Sequence, residues 1–234
     1  MRILAFETSA KAASVALLED GRLLGEYTQN SGQTHSRTLM KMSEDLLHNC
    51  DMQASDIDAV ACAAGPGSFT GVRIGVAAAK GFAWGLNLPC CGVSTLEAMA
   101  KGVAVTDGVY ISAMDARRNQ VYTALFRMEQ GVFSRLSEDM AISLEELGKL
   151  LKKQDKTKML VGDGALLCYN HLRDSIPNLL LMPEHLRMQR ASGVALLAWE
   201  QIQADKQFSG GDLVPNYLRL SQAERERMNK EKME

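Results

Sequence analysis

No two cysteines in this chain have the CxxC spacing of a metal ribbon or redox motif. The five present, Cys50, Cys62, Cys90, Cys91 and Cys168, are odd in number and include an adjacent pair. They read as reduced, buried small hydrophobes and exclude a disulfide framework. The first residues lack the charged head and apolar stretch of a signal peptide, and no uncharged run free of Pro and Gly is long enough to cross a bilayer. The expectation is a cytoplasmic protein with no membrane partner. An excess of one charge is also missing: a net charge of -2 gives no global positive field, so any RNA contact needs a partner's help.

Catalytic arrangements are scarce as well. The four histidines, His35, His48, His171 and His185, include no pair four residues apart, the spacing that lets two imidazoles on one helical face grip a single ion. Each alone reads as a surface or helix-cap residue. There is no GxSxG elbow, and no cysteine has a histidine beside it in the local sequence. No catalytic residue, metal site or cofactor is expected. What remains is an ordinary globular composition, 46% hydrophobic and 23% charged over 234 residues, enough for one large domain or two small ones.

The densest information lies in Ala61 to Gly75, ACAAGPGSFTGVRIG, where an apolar strand runs through a Gly-Pro-Gly turn into a helix predicted from Phe69 to Leu86 with Ser68 as its N-cap. Gly65 and Gly67 permit unusual backbone angles, and Pro66 fixes one dihedral between them. The helix carries Gly71, Gly75, Gly81 and Gly85, each costing roughly 1 kcal/mol against alanine unless something packs on the bare backbone. Gly71, Gly75 and Ala79 share one face, which suits either packing on the chain's own sheet or an intermolecular helix pair. A Walker A loop is excluded because Val72-Arg73 stands where Lys-Ser or Lys-Thr is needed. A dinucleotide fingerprint is excluded because no acidic residue stands among Pro89, Cys90, Cys91 and Gly92 on the next strand. An anion near Ser68 to Thr70 at the helix N-terminus remains open.

The element order repeats. Strands at Arg2–Glu7, Ser14–Glu19 and Arg22–Gln29 precede a helix at His35–His48 with apolar Leu39, Met42, Leu46 and Leu47, then a buried strand at Ile57–Ala64 and the glycine-rich helix. Strands at Val109–Met114, Gln120–Met128 and Val132–Ala141 precede a helix at Ser143–Lys153 opened by a Ser143-x-x-Glu146 capping box, then a strand at Lys158–Gly162. Glu7 and Asp115 end the first strand of each half, and Gly21 and Gly131 mark its second hairpin. The expectation is an α/β chain of two duplicated βββαβα lobes, at 1–105 and 106–220. A packing helix at Ala191–Lys206 and a charged tail at 221–234 complete it.

This duplicated pattern resembles the actin-like ATPase (ASKHA, ribonuclease H-like) fold of actin, the 70-kilodalton heat shock chaperones and sugar kinases, in which the first hairpin of each half cradles a nucleotide phosphate. The words FETSAKAASVALL, GPGSFTGVRIG and DARRNQVYTALF resemble those of the TsaB (YeaZ) family of bacterial tRNA threonylcarbamoyladenosine biosynthesis proteins, over residues 1 to about 220. Catalytic relatives in that superfamily place His-x-x-x-His on the helix that corresponds here to VSTLEAMA, where Thr95 and Met99 occupy the two positions. Neither is a credible ligand for a hard ion. The hairpin turns ETSAKA and DARRN contain none of the glycines that admit phosphates. Thr8, Ser9, Arg117 or Arg118 could still meet an anion, or Glu7 and Asp115 satisfy turn amides while the arginines pair on the surface.

The resemblance implies a non-catalytic scaffold subunit that pairs with a metal-containing TsaD-like threonylcarbamoyl transferase paralogue, associates with a small TsaE-like ATPase, reaches tRNA only through that complex, and forms homodimers alone. The expected interface is Gly71, Gly75 and Ala79 with Leu39, Met42 and Leu46, so Gly75→Leu should weaken dimerisation. Thr8, Ser9, Ser68, Thr70, Asp115, Arg117 and Arg118 are the candidate anion or nucleotide contacts. Two enzymes remain as alternatives. One is a sugar-kinase-type phosphotransferase with Glu7 or Asp115 as base; the other is a peptidase acting on the paralogue.

Overall fold

The computed structural model describes residues 1–204, 208, 211 and 213–219; the expected tail at 221–234 lies outside them. Strands β1 (Arg2–Glu7), β2 (Ala13–Glu19) and β3 (Arg22–Gln29) form an antiparallel meander. Asp20 and Gly21 turn its second hairpin with φ of 48° and 79°, the two left-handed residues that a tight primed turn requires. Helix α1 (His35–Asn49) leads through a short 3-10 turn to β4 (Ala59–Gly65), which lies parallel to β1. Helix α2 (Phe69–Leu86) and β5 (Cys90–Ser94) complete a sheet of order β3-β2-β1-β4-β5. Helix α3 (Thr95–Lys101) then leads out of this unit.

The second sheet repeats the first. Strands β6 (Gly108–Asp115) and β7 (Gln120–Glu129) are antiparallel, and Gln130-Gly131, with φ of 51° and 78°, turns into β8 (Val132–Arg135). The single strand expected over 132–141 is broken: β9 (Met140–Ser143) pairs again with β7 after a detour. In that detour Arg135 and Asp139 reach α3, where the Arg135 guanidinium meets Glu97 at 2.5 Å and Ser94 Oγ donates to Asp139 at 2.7 Å. Helix α4 (Leu144–Leu151) carries the expected Ser143/Glu146 capping box, with both reciprocal bonds formed. Strand β10 (Lys158–Val161), helix α5 (Ala165–Leu172) and β11 (Leu179–Leu181) follow, giving the order β11-β10-β6-β7-β8, the same sequence of equivalents as in the first sheet.

Each sheet buries both faces. Helices α1 and α2 cover one face of the first sheet through Leu39, Leu46, Val72, Val76 and Ala79, packed on Leu4, Phe6, Val15 and Leu17. After the short α6 (Glu184–Arg187), helix α7 (Ala191–Gln203) covers the other face, with Val194, Ala195 and Ala198 against Ile3, Ala5, Ala16 and Ala61. The expected late packing helix thus lies on the first sheet. Ser14 and Glu26 of the first sheet cap its start: Ala191 N–H donates to Ser14 Oγ at 3.1 Å and Ser192 N–H to Glu26 Oε1 at 2.8 Å. Gly193 lies so close to the Ala98 carbonyl that a Cβ would overlap it. No helix of the described residues is long and apolar enough to cross a membrane.

Candidate functional site

A cleft of about 520 Å³ opens between the two sheets at the ends of β1 and β6, lined by residues from both halves, among them Ser9, Lys11, Asp115, Arg117, Tyr122 and Asp163. The two strand-end carboxylates do the same local work. Glu7 Oε1 accepts from Ser9 N–H at 2.6 Å, and Asp115 Oδ1 accepts from Arg117 N–H at 2.7 Å. Each carboxylate thus closes its own hairpin turn, a local bond that short acidic side chains favour. The turns close on themselves without glycine; Arg117, Arg118 and Asn119 all adopt left-handed φ between 55° and 66°.

Burial separates the two carboxylates. Asp115 is exposed, whereas Glu7 is fully buried and its Oε2 has no hydrogen-bond partner. Desolvation, joined by the charge of Asp163 across the cleft, raises the Glu7 pKa to about 7 against the lowering effect of Ser9, whose N–H it accepts. Burial also raises Asp163, although Gln189 Nε2 donates to its Oδ1 at 2.8 Å. Asp163 and Gln189 were not singled out from sequence. The only signal was that Gly162-Asp163-Gly164 ends a strand.

The candidate anion contacts divide. Thr8 is buried and its hydroxyl donates to the Gly71 carbonyl at 2.7 Å, so its donor is spent within the chain. Ser68 caps α2, its Oγ accepting from Gly71 N–H at 3.3 Å, as expected from sequence. Ser9, Ser68 and Arg117 line the cleft, and the buried Ser9 Oγ has no hydrogen-bond partner among the described residues, whereas Thr70 and Arg118 are exposed and lie outside its lining. On α3, Thr95 and Met99 are both buried. Among the described residues no group of three or more His, Cys, Asp or Glu is placed to hold a metal ion.

The residues of the expected interface stripe turn toward the chain's own core. Gly71, Gly75 and Ala79 face inward: a Cβ on Gly71 would overlap the Thr8 carbonyl, one on Gly75 would lie 2.5 Å from Thr8 Oγ1, and Ala79 is fully buried. Leu39 and Leu46 are buried in the same core, with Met42 half-buried against it. Apolar periodicity marks the face a helix turns to its own sheet, which is where these residues went. Gly75→Leu would act on the fold rather than on dimerisation. The outward face of α2 is different. Nothing lies within 4 Å of where a Cβ would stand on Gly81 or Gly85, and Trp84 between them is 88% exposed. Beside it a groove of about 510 Å³ between α1 and α2 is lined by Met40, Lys41, Glu44, His48 and Phe82.

Comparison with known proteins places this architecture. The family model of TsaD, tRNA N6-adenosine threonylcarbamoyltransferase, matches residues 23–226. The tRNA threonylcarbamoyladenosine biosynthesis protein TsaB of Bacillus subtilis (strain 168) is 35% identical over 225 residues, 96% of each chain. TsaB of Escherichia coli (strain K12) is 36% identical over 167 residues, 70% of this chain and 72% of that one. Among solved structures, YeaZ from Pseudomonas aeruginosa superposes with a TM-score of 0.79 at 27% identity, covering 93% of this chain and 99% of that chain. The activator of the 2-hydroxyisocaproyl-CoA dehydratase from Clostridium difficile, with bound ADPNP, superposes at a TM-score of 0.51 and 12% identity over 89% of this chain and all of that one, a likeness of fold alone. With its two sheets in the duplicated actin-like arrangement, this chain belongs to the TsaB (YeaZ) family of tRNA threonylcarbamoyladenosine biosynthesis proteins.

Proposed function

We propose that this chain serves tRNA threonylcarbamoyladenosine biosynthesis as a non-catalytic subunit, pairing with a metal-containing TsaD-like paralogue and with a second copy of itself when that paralogue is absent. A small ATPase and tRNA join through the complex, and the chain needs no cofactor of its own. The observation that carries the pairing is the outward face of α2. Two exposed glycines each cost the helix roughly 1 kcal/mol with no return inside the chain, and they flank a tryptophan that is 88% exposed. An approaching backbone would use the glycines, and a pocket would take the indole, a common anchor of protein interfaces. The non-catalytic part is supported by α3, whose buried Thr95 and Met99 stand at the positions that correspond, by the resemblance, to the metal-binding histidine pair of catalytic relatives.

Two experiments test this reading. Reconstitution of the tRNA modification with purified components should fail without this chain; full product in its absence would remove the proposal. Trp84→Glu should leave the fold intact and weaken pairing by at least about tenfold, since burying an unpaired charge at an interface costs more than the roughly 1.4 kcal/mol that tenfold represents. Unchanged mass by light scattering, together with unchanged affinity for the paralogue, would reject this face. A phosphotransferase reading is favoured by the size of the cleft and by Asp115 and Asp163 in its lining. It requires the lone chain to bind ATP with magnesium, and calorimetry showing tight binding would replace the scaffold with an enzyme.

A further inference from the structure

The last described segment of the chain returns to the cleft and crosses it. Leu213 is buried in the core beneath α2, and Lys80 Nζ on α2 donates to its carbonyl at 2.9 Å. Asn216 N–H donates to Ala64 O at 2.6 Å, and its own carbonyl lies where a Cβ on Gly65 would stand, so only glycine admits the segment there. Tyr217 stacks on Phe69 with ring centroids 4.7 Å apart, and the Arg73 guanidinium sits 3.8 Å from the Phe69 centroid while its Nε–H donates to Tyr217 Oη at 2.8 Å. Two residues on, Arg219 Nη1 donates to the carbonyl of Ala116, in the hairpin turn of the second sheet, at 2.8 Å. Asn216, Tyr217, Leu218 and Arg219 all line the cleft.

We propose that residues 213–219 form a latch: anchored on α2 and β4 of the first sheet and tied to the β6–β7 turn of the second, the segment sets how far the cleft opens. The two ends differ: Leu213 is held by core packing, whereas the contacts of Tyr217 and Arg219 are a stacked ring and hydrogen bonds at a partly exposed rim, replaceable by water at low cost. Among the described residues, the segment's hydrogen bond to the second sheet is made by the Arg219 side chain. A device of this kind holds the halves together yet can release without unfolding either sheet. The anchor side uses Phe69, Arg73 and Lys80 of α2, the helix whose far end carries Trp84. If the pairing reading holds, a partner seated on α2 therefore bears on the latch, and the opening of the cleft is linked to pairing.

Hydrogen exchange on the full-length chain, diluted until light scattering shows a monomer, tests the latch without any partner. In Arg219→Ala and in Tyr217→Ala, the amides of the 116–120 turn and the 65–68 turn should exchange at least about tenfold faster than in the parent, while β1, β4 and β6 keep their protection. Arg219→Lys, which retains a donor, should restore most of that protection. Trp84→Glu should leave both turns unchanged, so a failed latch and a failed pairing face are told apart. Exchange at 116–120 within twofold of the parent in Arg219→Ala, or an equal loss of protection throughout the chain, would overturn the latch.

Discussion

Glu7 shows how one residue can be half legible. Its place at the end of the first strand, and its use of a carboxylate to close the turn, follow from the local sequence and hold in the structure. Its burial does not, because the desolvation comes from the tertiary packing around β1 and the facing Asp163 lies some 150 residues away in the sequence. The consequence is a pH dependence. Glu7 ordinarily titrates at 4.5 and is raised to about 7 in the folded chain. The folded state thus holds this proton more tightly than the unfolded one, and the contribution favours folding at low pH and is lost as pH rises from about 4.5 through about 7. Its full size is on the order of 3 kcal/mol. Asp163 is raised too and adds with the same sign. Glu7→Gln keeps an acceptor for Ser9 N–H and removes the titration. Urea midpoints should show the variant more stable than the parent near pH 8, with the gap closing below about pH 5; parallel curves would contradict this account.

Among elements, α2 is the clearest case of sequence and structure agreeing on a helix while disagreeing on its use. Its bounds, its Ser68 cap and the need for close packing on its glycines were all legible. Which glycines meet the chain's own sheet was not, since a one-dimensional pattern names a face without naming what lies opposite. The structure divides the four. Gly71 and Gly75 sit against Thr8, and Gly81 and Gly85 meet nothing. Gly71→Ala should therefore destabilise by roughly 1–3 kcal/mol, because the overlap is with backbone that cannot rotate away. Gly81→Ala should stabilise the lone chain by roughly 1 kcal/mol, through helix propensity alone. Denaturant unfolding of the two variants checks both signs, and a stabilising Gly71→Ala would refute the packing described. The break between β8 and β9 was illegible for a related reason: it serves Arg135 and Asp139 in reaching α3, a tertiary contact that leaves no periodic mark.

At the scale of the whole molecule, the repeat of element order was readable, and the strand orders of the two sheets confirm it. The course of the chain after the second sheet was not. An amphipathic helix at 191–203 announces that it packs, yet its pattern is equally compatible with either sheet. What sends α7 to the first is chemistry at its start: the Glu26 carboxylate, only 11% exposed, accepts from Ser192 N–H at 2.8 Å and faces Arg190 Nη1 at 3.5 Å, while Ser14 takes the Ala191 N–H. Helix amides left open at a first turn favour an anion, and here a strand of the first sheet supplies it. Glu26→Ala should cost roughly 1–2 kcal/mol, the scale of a lost helix cap in a partly buried setting. Glu26→Gln, which keeps the acceptor without the charge, should cost less. Because α7 shields Ile3, Ala5, Ala16 and Ala61 on one face of the first sheet, hydrogen exchange in Glu26→Ala should rise in β1, β2 and α7 before it rises in β6 or β7. Equal acceleration in both sheets would mean that the helix start does not govern where α7 docks.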